Sequence, residues 1–207
     1  EIMVGDWSSD VCSSDLFAIA RACRQAGADV MLVAGPTGLP TPRGVRRVDV
    51  RTAREMHQAV MGELGAVGSA TYARSDVFIA VAAVADWRVA NVSSSKLKKT
   101  ADGAPPALEF VQNPDILAEV AARSDAPWCV GFAAESEDLE KNGQEKRLRK
   151  GVPLLVANIG HATFGRDDNE LLLIDDRGMQ LLARAGKDDL ARDLVGQIGR
   201  RLPAGAG

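Results

Sequence analysis

A carboxylate and three lysines occupy positions in the sequence that suit a metal-bound polyphosphate. Asp86 follows the apolar run DVFIAVAAV (76–84), and a carboxylate at the end of a buried strand can bind Mg²⁺ or accept hydrogen bonds from a base or sugar. Lys96 lies in an extended segment, while Lys146 and Lys150 lie four residues apart on a charged helix. Like charges at this spacing cost a helix about 0.2–0.5 kcal/mol, and a bound polyphosphate would turn that cost into attraction. Together these side chains indicate a site for a magnesium-bound nucleoside triphosphate.

Each of these side chains also has an ordinary structural interpretation, and the residues alone leave the choice open. Asp86 could cap the local turn or pair with Arg88. The lysines of KLKK (96–99) could protect the edge of a sheet from aggregation. The two lysines of the charged helix lie near its C-terminus, where the backbone dipole favours cations without any ligand.

Several familiar catalytic motifs are absent from the sequence. It contains no GxGxxG after a strand, no GxxxxGK[ST], no HExxH and no GxSxG. The only histidines, His57 and His161, lie far apart and have no triad partners, and we expect mid-helix His57 to be a surface or packing residue. These absences disfavour the ordinary dinucleotide-binding turn, the P-loop nucleotidases, the HExxH metalloproteases and the α/β-hydrolases.

The composition excludes other classes of protein. Lys plus Arg at 25 against Asp plus Glu at 28 leaves a net charge of −3, so no global positive field exists to hold a nucleic acid. Three cysteines without CxxC spacing suit a reducing compartment and disfavour a disulfide framework or a zinc site. No apolar run of eighteen residues and no secretory signal occur. We therefore expect a cytoplasmic protein that binds neither nucleic acid nor membrane.

From Phe17 onward, the apolar pattern alternates between strand-length and helix-length segments. Continuous apolar runs are typical of parallel strands covered by helices on both faces. The predicted strands are 29–35, 45–50, 76–84, 128–134 and 153–158, and the predicted helices are 17–28, from Thr52 to about Val67, from Asn113 to about Arg123, 136–150 and 187–202. Hairpins are predicted between KLKK and ALEFVQ (107–112) and between ELLLID (170–175) and MQLL (179–182). The expected fold class is α/β, a Rossmann-like doubly wound domain with a mainly parallel sheet and a β-hairpin insertion.

Two further expectations concern the ends of these elements. Asn113 is predicted to cap a helix, with Pro114 at its first position. The first sixteen residues, EIMVGDWSSDVCSSDL, show neither a clear strand nor a helical period, although they occupy the place of a first strand and phosphate-binding turn. We expect that strand and its glycine-rich turn to be missing.

Seven strings, in this order and spacing, closely resemble the phosphopantothenate–cysteine ligase domain of the bacterial bifunctional coenzyme A biosynthesis proteins. They are AAVADWR (82–88), KLKK (96–99), NPDIL (113–117), VGFAAES (130–136), KRLRKG (146–151), VAN (156–158) and FGRDDNELLLI (164–174). The resemblance covers the chain from Phe17 to about Leu202. It implies a homodimeric Rossmann-like ligase that uses CTP and Mg²⁺ to join 4′-phosphopantothenate to L-cysteine, giving 4′-phosphopantothenoylcysteine, CMP and pyrophosphate through an acyl-cytidylate.

The resemblance also implies roles for individual residues. The implied nucleotide-binding residues are Ala82, Asp86, Lys96, Asn113, Pro114, Asp115, Ile116, Phe132, Lys146 and Lys150. Among them, Asp86 would bind Mg²⁺, Lys96 would assist turnover of the intermediate, and the segment from Lys96 to Gln112 would lie near the dimer partner. Family members normally carry a fused flavin-dependent decarboxylase. Because this segment resembles only the ligase part, no FMN is expected with it.

The departure from the family pattern is confined to the N-terminal segment. Family members begin with a strand and a glycine-rich segment that carries a catalytic Asn, which has no counterpart here. We therefore predict two parts, residues 1–16 as a non-native segment resembling translated adapter sequence and residues 17–207 as the ligase domain. Two alternatives stay open, a catalytically impaired nucleotide-binding fragment of that ligase and, disfavoured by the missing GxGxxG, a Rossmann-type NADP oxidoreductase.

Overall fold

A computed structural model describes residues 2–6, 10–67, 75–81, 84–91, 108–135, 139–159 and 168–203. Predicted site residues Ala82 and Lys96 lie outside these ranges, as do the KLKK segment and residues 164–167 of FGRDDNELLLI. No helix in the described part of the chain is both long and apolar enough to cross a bilayer.

An eight-stranded sheet forms the centre of the protein, in the order β10-β9-β8-β7-β4-β1-β2-β3. Its strands are β1 Ile2–Asp6, β2 Val30–Ala34, β3 Arg46–Asp49, β4 Val77–Ala80, β7 Trp128–Glu135, β8 Leu154–Ile159, β9 Asp168–Asp175 and β10 Gly178–Gly186. Neighbouring strands in the series β3-β2-β1-β4-β7-β8 pair in parallel, and β9 and β10 add an antiparallel edge. This arrangement confirms the predicted α/β class, the mainly parallel sheet and the C-terminal hairpin.

In the part of the chain that the structure describes, five helices cover the two faces of this sheet. They are α1 Asp10–Gln25, α2 Ala53–Leu64, α3 Ile116–Ala121, α4 Leu139–Lys150 and α5 Lys187–Gly199. Successive residues of β2 alternate between two cores: Val30 and Leu32 pack with α1 and α5, whereas Met31 and Val33 pack with α2 and α3. Burial on both faces explains why the parallel strands appear as unbroken apolar runs.

The start of α2 agrees with the predicted boundary at Thr52. The Thr52 side chain accepts a hydrogen bond of 3.1 Å from the backbone N–H of Glu55 and caps α2. After α1, Gly27 has a φ of 97°, the left-handed conformation in which many helices end and which glycine adopts without strain.

The expectation of a missing first strand is wrong. Ile2–Asp6 form β1 in the middle of the sheet, where Ile2 pairs with Val30 on one side and with Val77 on the other. Its apolar part, IMV, is too short to show a strand pattern in the sequence. Three apolar residues are nevertheless enough to form a buried strand where both neighbours are parallel strands. Helix α1 likewise begins at Asp10, seven residues before the predicted start, and the separate origin of residues 1–16 stays a prediction.

The following helix also differs from the prediction, whereas the predicted pairing of KLKK with ALEFVQ involves residues outside the described ranges. Within those ranges, β6, Phe110–Gln112, pairs with β5, Trp87–Val89, in a separate antiparallel sheet. Helix α3 is capped not by Asn113 but by Asp115, whose side chain accepts a hydrogen bond of 3.2 Å from the backbone N–H of Ala118. Asn and Asp are equally good caps, so tertiary contacts of Asn113 decide between them.

A candidate ligand site at the carboxyl edge of the sheet

A cavity of about 410 Å³ opens at the carboxyl ends of β4, β7 and β8. This volume lies within the usual range of small-molecule sites, and this edge is where open α/β sheets bind ligands. Eight of the ten predicted nucleotide-binding residues line it: Asp86, Asn113, Pro114, Asp115, Ile116, Phe132, Lys146 and Lys150. The structure thus brings together side chains from four separate stretches of sequence, as the predicted convergence of strand ends required.

The floor of the cavity is apolar and comes from the core beneath it. Met56 and Val60 of α2, Phe78 of β4, Leu117 of α3 and Leu155 of β8 line this part. An apolar floor with a few polar groups at the rim is the usual composition of a small-molecule pocket, where the polar groups set the orientation of the ligand.

Asn113 ties the turn after β4 to the loop before α3. Its backbone N–H donates to the carbonyl oxygen of Asp86 at 2.8 Å, and its Nδ2 donates to the carbonyl oxygen of Ala85 at 2.7 Å. Arg88 donates from Nη1 to Asn113 Oδ1 at 3.2 Å and to the carbonyl oxygen of Gln112 at 2.7 Å. These bonds hold the two predicted binding segments as one unit, with the Asp86 side chain exposed at the mouth of the cavity.

Asp115 joins α3 to α4 by using its two carboxylate oxygens separately. Oδ1 caps α3, while Oδ2 forms an ion pair with Lys150 Nζ. The Lys150 side chain is 22% exposed, and half-buried Lys146 lies one turn earlier on the same wall. The cations predicted to hold phosphate therefore reach the cavity from α4, as the i,i+4 spacing required.

The position of α4 depends on Gly143, a residue type that by itself weakens a helix. A Cβ at this position would lie 2.3 Å from Cδ1 of Ile174 in β9. Such a distance is far below van der Waals contact, so α4 approaches the sheet more closely than any other residue would permit. The close approach could be found only from the packing of the two elements.

The wall of the cavity near α1 contains polar residues that the sequence analysis missed. Asn158 at the end of β8 and Asp15 of α1 both line the cavity, beside Phe132. Burial raises the pKa of the Asp15 carboxyl, and the charge of Lys187, whose Nζ lies 3.1 Å from Asp15 Oδ1, partly offsets this effect. The string VAN places a polar residue at the end of a buried strand, which is the one signal that could have indicated Asn158.

Fold and cavity together define a doubly wound α/β protein with a ligand site at the carboxyl edge of its parallel strands. Residues 13–202 match the model of the family described as DNA/pantothenate metabolism flavoprotein C-terminal domain. The chain belongs to this family.

Curated relatives of the chain include two named coenzyme A biosynthesis bifunctional protein CoaBC. The protein of Vibrio cholerae is 44% identical over 190 residues, which cover 90% of this chain and 46% of the relative. The protein of Escherichia coli is 43% identical over 187 residues, which cover 88% of this chain and 44% of the relative. The chain thus spans about half the length of these relatives.

Solved structures show the same architecture. The C-terminal domain of a CoaBC protein superposes with a TM-score of 0.76 at 27% identity, covering 97% of this chain and 94% of that domain. A Cab2 mutant in complex with phosphopantothenate-cysteine superposes with a TM-score of 0.70 at 11% identity, covering 96% of this chain and 86% of that chain. The second likeness shows the shared fold.

Proposed function

We propose that this chain is the ligase part of a coenzyme A biosynthesis protein, which joins 4′-phosphopantothenate to L-cysteine at the expense of CTP. The observation that carries the proposal is the convergence of eight family-matched residues on one cavity. Membership of the family supports the reaction class. The relatives named as bifunctional coenzyme A biosynthesis proteins support the biosynthetic role.

The reaction proceeds in two steps. A carboxylate oxygen of 4′-phosphopantothenate attacks the α-phosphorus of CTP, and pyrophosphate leaves, giving an acyl-cytidylate. The amine of cysteine then attacks the acyl carbon, and CMP leaves with the bonding electrons of the acyl–oxygen bond while the amine loses a proton. Both steps need neutralisation of phosphate charge and positioning of the reactants more than a tuned acid–base pair.

The residues of the cavity suit these needs. The ammonium groups of Lys146 and Lys150 supply the positive charge for the phosphates, and the loop before α3 offers its backbone to the base. The Lys150–Asp115 ion pair holds the Lys150 ammonium at the rim before a ligand arrives. Lys96, outside the described residues, is proposed to assist turnover of the acyl-cytidylate.

The carboxylate of Asp86 fits a magnesium ion that arrives with the nucleotide. Among the described residues, no three His, Cys, Asp or Glu side chains group together as a metal cluster. Mg²⁺ in nucleotide sites commonly takes one or two carboxylates, with phosphate oxygens and waters as its other ligands, so an exposed carboxylate beside the lysines is sufficient. The ion would neutralise phosphate charge, and Asp86 would hold it.

Further proposals concern the whole protein. Since the chain spans about half of its relatives, we infer a fused flavin-dependent decarboxylase as its partner domain. A homodimeric ligase is inferred from the family resemblance, and a cytoplasmic location from the sequence pattern. FMN is assigned to the decarboxylase part. Base preference for CTP over ATP comes from the family resemblance.

Release of CMP tests the proposal. The chain is incubated with Mg²⁺, CTP, 4′-phosphopantothenate and cysteine, alongside a chain with a family-type N-terminal segment in place of residues 1–16. We expect cysteine-dependent CMP from at least the second chain, and Lys146→Ala should weaken CTP binding by about tenfold or more through loss of a charged hydrogen bond. Arg149→Ala, an exposed change on the same helix, is the matched control.

Three results would count against the ligase. No CMP from either chain and no binding of CTP would contradict the reaction, whereas CTP binding without CMP release from either chain would favour the impaired fragment. An NADPH-dependent rise in melting temperature, with none for CTP, would favour the oxidoreductase.

A further inference from the structure

The side-chain amide of Asn158, at the end of β8, is held in one orientation. Asn169 on the neighbouring strand is buried, with 5% of its surface exposed. Its Oδ1 accepts a hydrogen bond of 2.8 Å from the backbone N–H of Glu170, and its Nδ2 donates to Asn158 Oδ1 at 3.1 Å. Because Asn169 must present its donor to Asn158, Asn158 must present its oxygen in return. Its own Nδ2 is therefore directed away from Asn169.

The Nδ2 group of Asn158 is left as a donor in the wall of the cavity. Asn158 is half-buried, and within the described ranges we find no acceptor for this N–H₂ group. A polar group in a binding cavity that lacks an internal partner is available to a ligand. Since the oxygen is occupied, the complementary ligand atom is a hydrogen-bond acceptor.

Asn158 lies across the sheet edge from the lysines. Leu154 and Val156, which lie on the same face of β8 as Asn158, pack in the core formed with α1 and α5. Leu155 and Ala157 pack in the core on the opposite face. The α4 lysines reach the cavity from that opposite face. A ligand above the strand ends thus meets cations on one side and the Asn158 donor on the other.

One acidic group on this wall, Asp15, is already paired. Asp15 lines the cavity on the same side, and its carboxylate forms an ion pair with Lys187, both side chains being less than one-fifth exposed. Its negative charge is therefore balanced locally, and the wall can accept an anion.

We propose that Asn158 donates an N–H hydrogen bond to an anionic oxygen of the bound substrate, a phosphoryl or carboxylate oxygen. Asn169 is the positioning residue that keeps the donor of Asn158 facing the cavity. The proposal rests on the proposed function, which supplies both kinds of oxygen in CTP and 4′-phosphopantothenate.

Asn158→Asp tests the contact with little change of shape. The new carboxylate still accepts from Asn169 Nδ2, so the hydrogen bond between the strands is kept, but the donor is replaced by a negative charge. Calorimetric titration is done separately with Mg²⁺–CTP and with 4′-phosphopantothenate. We expect about a 10- to 100-fold loss of affinity for the ligand that Asn158 contacts, the usual range for a hydrogen bond to a charged group. The ligand whose affinity falls is the one that supplies the oxygen to Asn158.

Asn158→Ala separates loss of the donor from the added charge and should give a smaller loss in the same arm. Unchanged affinity of both variants for both ligands, with binding by the unsubstituted chain, would overturn the Asn158 proposal alone. No binding of either ligand by the unsubstituted chain would refute the proposed function and this inference with it. Urea unfolding of each variant checks that the fold is retained.

The positioning role of Asn169 needs a separate experiment. Asn169→Leu removes the donor that fixes the Asn158 amide, so we expect about a two- to fivefold loss of affinity in the arm affected above. In a chain that already carries Asn158→Ala, the same substitution should cause no further loss, since the group it positions is gone. An equal loss in both backgrounds would show a merely structural role and refute the positioning assignment.

Discussion

Replacement of Gly143 by Ala should destabilise the protein, although helix propensity alone favours it. An alanine inside a helix is about 1 kcal/mol better than glycine. The added Cβ, however, would lie 2.3 Å from Cδ1 of Ile174, against an optimal carbon–carbon separation of about 3.5–4.0 Å. Ile174 is 1% exposed and cannot turn toward solvent. Overpacking of this kind costs about 1–3 kcal/mol, so the net expected loss is about 1 kcal/mol.

Urea unfolding measures this effect, and Gly196→Ala in α5 is the matched control. A Cβ at Gly196 meets no atom within 4 Å, so the control should gain about 0.5–1 kcal/mol from helix propensity. The two substitutions, identical in chemistry, should therefore differ by about 2 kcal/mol. Gly143→Ala should also weaken CTP binding, because α4 carries Lys146 and Lys150.

A double-mutant cycle makes the cause specific. Ile174→Val deletes the Cδ1 atom that the new Cβ would meet and by itself costs about 0.5–1.5 kcal/mol. In that background, Gly143→Ala should be neutral or stabilising, which is a coupling between the two sites of about 1 kcal/mol or more. If Gly143→Ala stabilises the original chain as much as Gly196→Ala does, the close approach of α4 to β9 is wrong.

Two further predictions concern buried groups. Burial raises the pKa of Asp175, but hydrogen bonds from Arg201, at 2.7 Å, and from a backbone N–H outweigh it and lower this pKa below its usual value. The pair thus stabilises the fold above about pH 4, and this contribution is lost as the pH falls. Asp175→Asn should therefore lower the free energy of urea unfolding by about 3 kcal/mol at pH 7 and by less near pH 3. A loss that is the same at both pH values would contradict this. Burial raises the pKa of both Cys23 and Cys129 to about 12, so both are unreactive thiols at pH 8. In a Cys12→Ser chain, a thiol reagent at pH 8 should label neither cysteine until urea unfolds the protein. Rapid labelling of the folded chain would show that these thiols are accessible.

The core strands could be predicted from the sequence because burial on both faces leaves a direct pattern. The runs around Val30, Ile79 and Leu155 contain almost no polar residues, which only a sheet covered on both sides requires. The short strand β1 lacked this signal, since three apolar residues before Gly5 do not distinguish a strand from a loop. Its identity is decided by two neighbours that lie far away in the sequence.

The candidate site was predictable where it follows from strand ends and less so where it depends on contacts between elements. Asp86 and Phe132 lie at or near the ends of strands, so the topology alone brings them together. The cap at Asp115, by contrast, follows from hydrogen bonds that hold Asn113 to the turn after β4. The orientation of Asn158 depends on a buried partner in another strand, which no local pattern reveals.

The central place of β1 has a consequence for how the chain folds as it is synthesised. Ile2–Asp6 are made before both of their neighbours in the sheet, and the second neighbour, Val77–Ala80, is made some seventy residues later. Until then β1 can pair only with β2, and one of its edges stays open, which is the condition under which nascent chains mispair or aggregate. Closure of the sheet around β1 is a long-range event of high contact order, and such events limit folding rates. The residues of this segment therefore act on the speed and fidelity of folding before any ligand is bound.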